Sequence, residues 1–207
     1  YLKRSLKDQT DNWISINQYK RSIFIYLDKK HKPGTYQHNE KIRNAGASLS
    51  ESLNKIKATS VYIDGCDLLV AEGLALKNYQ FLKYFSDKDE KANSLNDAFL
   101  MNVSEEDASE LEVLIGAVLY SRDLINLPVW DLNAEGLADE AKMSAKRSGF
   151  KIDVLNKKKI ESLKMGGVLA VNKGSIDPPT FIIMEHKPKN AKNQKPIVLV
   201  GKGVVYD

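Results

Sequence analysis

The sequence predicts an α/β fold, and two observations carry the prediction. Short runs rich in β-branched and aromatic residues alternate with longer stretches whose apolar residues step by three and four. Turn formers such as Pro33-Gly34, Asp64-Gly65, Pro128 and Gly149 punctuate the boundaries. Alternation of this kind points to largely parallel sheets flanked by helices.

Ser22 to Leu27 reads as a buried strand, followed by a polar loop from Asp28 to Tyr36. A helix is expected from about Asn39 to Lys57, with Ile42, Ala45, Leu49, Leu53 and Ile56 along one face. Thr59 to Ile63 is a second strand, and Asp64-Gly65 turns the chain after it. A helix from about Asp67 to Tyr84 follows, and a third strand lies within Ser94 to Val103. Ser104 then caps a long helix whose first turn holds Glu105, Glu106 and Asp107, acids that suit the positive end of a helix dipole. Its apolar stripe of Leu111, Leu114, Ile115, Val118, Leu119 and Ile125 runs toward Pro128, which cannot continue a helix. Asn133 caps the next helix, which reaches about Ser148 and ends at Gly149. Phe150 to Leu155 is a strand, Lys157 to Leu163 a short helix, and Thr180 to Met184 and Ile197 to Gly201 are strands. The long helix has a sheet-forming unit on each side. The chain is therefore expected to divide into an N-terminal α/β domain (1–103), a linker helix (104–127) and the first part of a second domain (128–207).

Composition narrows the function. A chain of 207 residues, 43% hydrophobic and 28% charged, can bury a core and has the balance of an ordinary globular protein. Thirty-one basic residues against 27 acidic ones leave +4, too little to argue for a nucleic-acid partner. No apolar run approaches the ~20 residues needed to span a bilayer. The single cysteine, Cys66, excludes an internal disulfide and a Cys-based structural zinc, so a reducing, cytoplasmic compartment is expected. Tyr1-Leu2-Lys3-Arg4 does not read as a signal peptide and suggests a trimmed start. The apolar run from Pro196, with no polar tail before Asp207, predicts that the chain is the front part of a longer protein.

Three segments in order are similar to the leucyl (cytosol) aminopeptidase family. Ser121 to Pro128 (SRDLINLP), with Asp131 to Ala138 (DLNAEGLA), resembles the family's junction of linker helix and catalytic domain. Here Ser121, Leu127 and Asn133-Ala134 stand where the family pattern has Ala, Thr and Thr-Pro. Met165 to Pro179 (MGGVLAVNKGSIDPP) and Lys195 to Asp207 (KPIVLVGKGVVYD) match two further family motifs. Upstream, Glu72-Gly73, Leu76, Tyr79, Phe81 and Tyr84 resemble a pattern of the family's N-terminal domain, which is macro-domain-like.

The resemblance implies that Lys202 and Asp207 are ligands of a two-metal site holding zinc or manganese. It also implies release of N-terminal amino acids from peptide substrates, a homohexamer and a cytoplasmic enzyme. The donor chemistry is consistent. A carboxylate has two oxygens and can bridge two cations roughly 3.5–4 Å apart. A lysine, with an ordinary pKa of about 10.4, ligates only once nearby cations have made it a neutral amine. The family's catalytic residues and remaining ligands match sequence beyond residue 207, so no catalytic residue is expected here. The 207-residue chain alone is expected to be inactive and to bind metal weakly. Residues five apart in a regular strand point to opposite faces, so Lys202 and Asp207 can share a metal only if the backbone breaks register at Gly201 and Gly203.

On spacing alone, Gly-Lys-Gly after an apolar run is a turn with a surface lysine. It does not make a dinucleotide loop, because Tyr206 stands where that pattern needs glycine. His31 and His38 fall in a polar loop, His186 at the surface, and Cys66 beside Asp64 and Asp67, which do not favour a thiolate. Lys187, Lys189, Lys192 and Lys195 read as a solvated loop without the interleaved aromatics of a nucleic-acid contact. Trp13 and Trp130 read as packing residues. The alternative function is a non-catalytic macro-like binding or oligomerisation module, although residues 1–103 hold no Gly-rich loop that would cradle phosphate.

Overall fold

A computed structural model describes residues 13–26, 34–65, 68–193 and 195–203. The chain forms two compact units, Tyr1–Ile125 and Asn126–Asp207.

In the first unit, β1 (Trp13–Gln18) and β2 (Arg21–Tyr26) form an antiparallel hairpin with Trp13 opposite Tyr26 and Gln18 opposite Arg21. β1 lies outside the expected elements, because its Trp-Ile-Ser-Ile-Asn-Gln run mixes polar residues into a short apolar alternation. Helix α1 (Tyr36–Lys55) starts three residues earlier than expected, since Thr35 Oγ1 accepts a hydrogen bond from the His38 N–H at 3.2 Å and caps it. Its face of Ile42, Ala45, Leu49 and Leu53 is buried, whereas Ile56 sits at the helix end and is exposed.

β3 (Ser60–Ile63) leads through α2 (Leu68–Asn78) and the short α3 (Lys88–Lys91) to β4 (Asp97–Leu100), which pairs in parallel with β3. α2 stops at Asn78, not Tyr84. The Asn78 carbonyl accepts from Asn93 Nδ2 at 2.9 Å, while its side chain accepts from Asn54 Nδ2 and donates to the Leu95 carbonyl. Those contacts hold the chain in a turn that competes with further helix. Leu49, Leu53, Ile63, Leu74 and Leu95 form the core, with Trp13, Phe24, Val61 and Leu100 packed on it.

The crossing of α1 and α2 is closed by two glycines. A Cβ on Gly46 would collide with the Val70 carbonyl oxygen and lie 2.9 Å from the Leu74 nitrogen. A Cβ on Gly73 would collide with the Arg43 carbonyl. Beside them Arg43 Nε donates to Glu72 Oε2 at 2.8 Å. Helix α4 (Glu105–Asn126) has Ser104 at its start, whose Oγ accepts from the Asp107 N–H at 3.1 Å. It ends two residues before Pro128, as the restriction on pre-proline residues requires.

In the second unit, α5 (Ala134–Ser148) is capped at both ends as expected. Asn133 Oδ1 accepts from the Gly136 N–H at 2.9 Å, and Gly149 adopts φ 74° with its N–H on the Ala145 carbonyl. β5 (Lys151–Leu155), α6 (Lys157–Ser162), α7 (Gly166–Asn172) and β6 (Phe181–Glu185) follow. α7 falls within the Met165 to Pro179 motif and was not expected, because its Gly-Gly start weakens a helical pattern.

The α/β class holds, but the expected parallel sheets form only at β3–β4. β1–β2 and β5–β6 are antiparallel. A tight turn joins β1 to β2, and a parallel pair needs a longer crossover than that. Ile197 to Gly201 does not form the expected strand. It is irregular, with Ile197, Val198, Leu199 and Val200 between 73% and 92% exposed. β-propensity expresses itself through neighbouring strands, and this run has none among the described residues.

Candidate metal centre

The second unit presents the lysine that sequence singles out. Lys202 is exposed in irregular backbone between Gly201 and Gly203. The regular strand that would have kept residues 202 and 207 on opposite faces is missing over 199–203. Asp207, with residues 204–206, lies outside the described residues.

The neighbour of this segment comes from α5. A Cβ on Gly203 would touch Leu137 Cδ2 at 3.9 Å, and one on Gly201 would meet nothing within 4 Å. Thr180 Oγ1, at the entry to β6, donates to the Ala134 carbonyl at 2.9 Å. The capped first turn of α5 thus anchors the start of β6 and lies against the glycine after Lys202. That turn exists because Asn133 satisfies an N–H that the helix itself leaves unpaired.

Among the described residues, no group of three or more His, Cys, Asp or Glu side chains could hold a metal ion. A single amine fits one position of a metal site and completes none. A groove of about 990 Å³ lies elsewhere, between the β1–β2 hairpin and α1. Trp13, Phe24 and Tyr36 share its lining with Glu40, Lys41 and Glu51.

Other sequence candidates resolve plainly. His38 lies in the first turn of α1 and not in a loop, because the Thr35 cap begins the helix before it. His31 and Cys66 lie outside the described residues. His186, Lys187, Lys189, Lys192 and Lys195 are exposed in irregular or turn backbone, as a solvated loop should be. Gly65 takes φ 61°, and Asn102 Nδ2 donates to Asp64 Oδ1 at 2.8 Å, so Asp64-Gly65 is a turn. Trp13 packs as expected, its indole N–H on the Ala45 carbonyl at 2.9 Å. Trp130 does not. It is 79% exposed at the tip of a turn that Asp131 and Leu132 close by donating to the Pro128 carbonyl.

The fold class is α/β. The chain superimposes with TM-score 0.70 on the bottromycin maturation enzyme BotP, solved in complex with Mn, at 20% identity, covering 86% of this chain and 39% of that one. Residues 119–207 match the model of the cytosol aminopeptidase family, catalytic domain. A probable cytosol aminopeptidase of Chlorobaculum parvum is 60% identical over 87 residues, or 42% of this chain and 17% of the relative. One from Chlorobium phaeobacteroides is 40% identical over 155 residues, 73% of this chain and 31% of the relative. The chain belongs to the cytosol (leucyl) aminopeptidase family, and it spans 17–31% of the length of these two relatives. No helix among the described residues is long and apolar enough to cross a membrane.

Proposed function

We propose that this chain supplies Lys202 and Asp207 as two ligands of a two-metal aminopeptidase site, and that the enzyme built on it is a cytoplasmic homohexamer. The observation that carries the reading is the 60% identity over 87 residues to a probable cytosol aminopeptidase, together with a family match that runs through both positions. Lys202 would act as a neutral amine on its long stem, and Asp207 as a carboxylate able to bridge. Gly201 and Gly203 free the backbone around the lysine to turn it toward a shared centre. Divalent cations there, zinc or manganese, would grip the free α-amino group of a peptide and polarise its scissile carbonyl. BotP, which shares the fold, was solved with Mn, and manganese is therefore the first metal to test. Residues 1–103 would form a macro-like N-terminal domain, 104–127 a linker helix and 128–207 the opening portion of the catalytic domain.

The test has two arms. In a protein of the relatives' full length that contains this chain, Lys202→Ala should lower metal-dependent release of leucine from leucine amide by at least about 100-fold. That is the upper end of what losing a ligand's supporting partner alone does. Undiminished activity would overturn the ligand assignment. The 207-residue chain itself should bind Mn²⁺ weakly by calorimetry and release no leucine. Turnover by the pure, intact chain would overturn the placing of the catalytic machinery beyond residue 207.

A further inference from the structure

Two motifs singled out in the sequence, the one from Glu72 to Tyr84 and the one from Ser121 to Pro128, meet in the fold. The Tyr79 hydroxyl donates to Asp123 Oδ1 at 2.8 Å, across 44 residues of chain. Arg122 Nη1 donates to the Leu76 carbonyl, and the guanidinium carbon sits 5.6 Å from the centre of the Tyr79 ring. That carbonyl belongs to the last turn of α2, where no further turn of helix supplies an N–H. A cation placed there also meets the negative end of the helix dipole. Because α2 stops at Asn78, Arg122 can cap it from α4, and Tyr79 is the first residue beyond its end.

Asp123 runs against the preferences of its own helix. It lies in the last turn of α4, where an anion opposes the dipole and no basic residue offsets it. Aspartate is also a poor helix former. A residue that weakens its own element is explained by what it holds elsewhere. α4 gains from such a contact, since none of its 22 residues is buried. Arg122 and Asp123 fall inside the family match over 119–207, yet they lie in the first compact unit, which ends at Ile125.

We propose that Tyr79, Arg122 and Asp123 form a latch that docks the C-terminal end of α4 on the end of α2. The first unit then carries α4 as a fixed arm and not as a flexible linker, and the chain passes to the second unit from an anchored point. Opening the latch undocks the end of the helix without unfolding the core of the unit, a local transition of the kind that amide exchange reports.

Native-state amide exchange on the 207-residue chain, read at residues 120–126, tests the latch. Tyr79→Phe should speed exchange there by about fivefold, the effect of losing a hydrogen bond of about 1 kcal/mol. Arg122→Met should speed it as well, and the amides of α1 should keep their protection in both variants. Asp123→Ala decides by its sign. Helix preference alone makes this variant exchange more slowly, whereas the latch makes it exchange faster. In the Tyr79→Phe background the hydrogen bond is already gone, and Asp123→Ala should there slow exchange. Ser121→Ala removes a hydroxyl that returns to the Ala117 carbonyl within α4, and it should not speed exchange. Slower exchange for Asp123→Ala in the wild-type background, or exchange indifferent to Tyr79→Phe, would overturn the proposal. None of these readouts depends on metal or peptidase activity, so this inference and the proposed function fail separately.

Discussion

The α1–α2 crossing and the segment from Ile197 to Gly203 are both glycine-containing and apolar, yet one is locked and the other open. At the crossing, Gly46 and Gly73 let two backbones meet, and Leu49, Leu53 and Leu74 fill the space beside them. At the segment, Gly201 has open space around it and the four preceding side chains face solvent. Apolar composition therefore sets what a segment can gain, and a partner surface decides whether it gains it.

The sharpest way to break this comparison is one substitution made in both kinds of place. Gly73→Ala inserts a methyl into the Arg43 backbone, where no flexible side chain can yield. Overpacking of this kind costs about 3 kcal/mol, against about 1 kcal/mol that alanine gains in a helix, so the variant should lose about 2 kcal/mol in urea denaturation. Gly116→Ala on α4 meets nothing within 4 Å and should gain up to about 1 kcal/mol. Equal signs for the two would refute the close crossing.

A second pair compares leucines. Leu53→Ala empties part of the core and should cost about 2–5 kcal/mol, while Leu199→Ala should fall within about 0.5 kcal/mol of wild type. A large effect at Leu199 would show that the segment packs within its own chain.

These contrasts also explain what sequence could reveal. The caps at Ser104, Asn133 and Gly149 were legible because each acts on backbone within a few residues of itself. The α1 face was legible because its period matches a helix. The early end of α2 was not, because it depends on Asn54, Asn93 and Leu95, which reach Asn78 only after folding. Gly46 and Gly73 carry no signal in the sequence that they face each other's helix. At the candidate site, the glycines flanking Lys202 permit irregular backbone, but the irregular stretch already covers residues 196–200, ahead of both. The fate of Ile197 to Val200 did not follow from composition, since propensity does not name a neighbour.

The smallest expected effect probes the electrostatic part of the locked crossing. Glu51 on α1 accepts a hydrogen bond from Lys77 on α2 at 2.7 Å, and that bond, followed by the charge of Lys77, holds the Glu51 carboxyl below its ordinary value of 4.5. A depressed folded-state value means that the contribution is present above 4.5 and is lost as pH falls through the lower, folded value. Both side chains are about half exposed, so solvent screens the pair and its contribution is small. Glu51→Gln should therefore leave stability nearly unchanged below the acid transition. The variant should fall slightly under wild type from about pH 5 upward, with the gap narrowing in high salt. Parallel stability–pH curves for the two proteins would mean that the Lys77–Glu51 pair adds nothing measurable and that helix packing, the two glycines and the Arg43–Glu72 pair hold the crossing together.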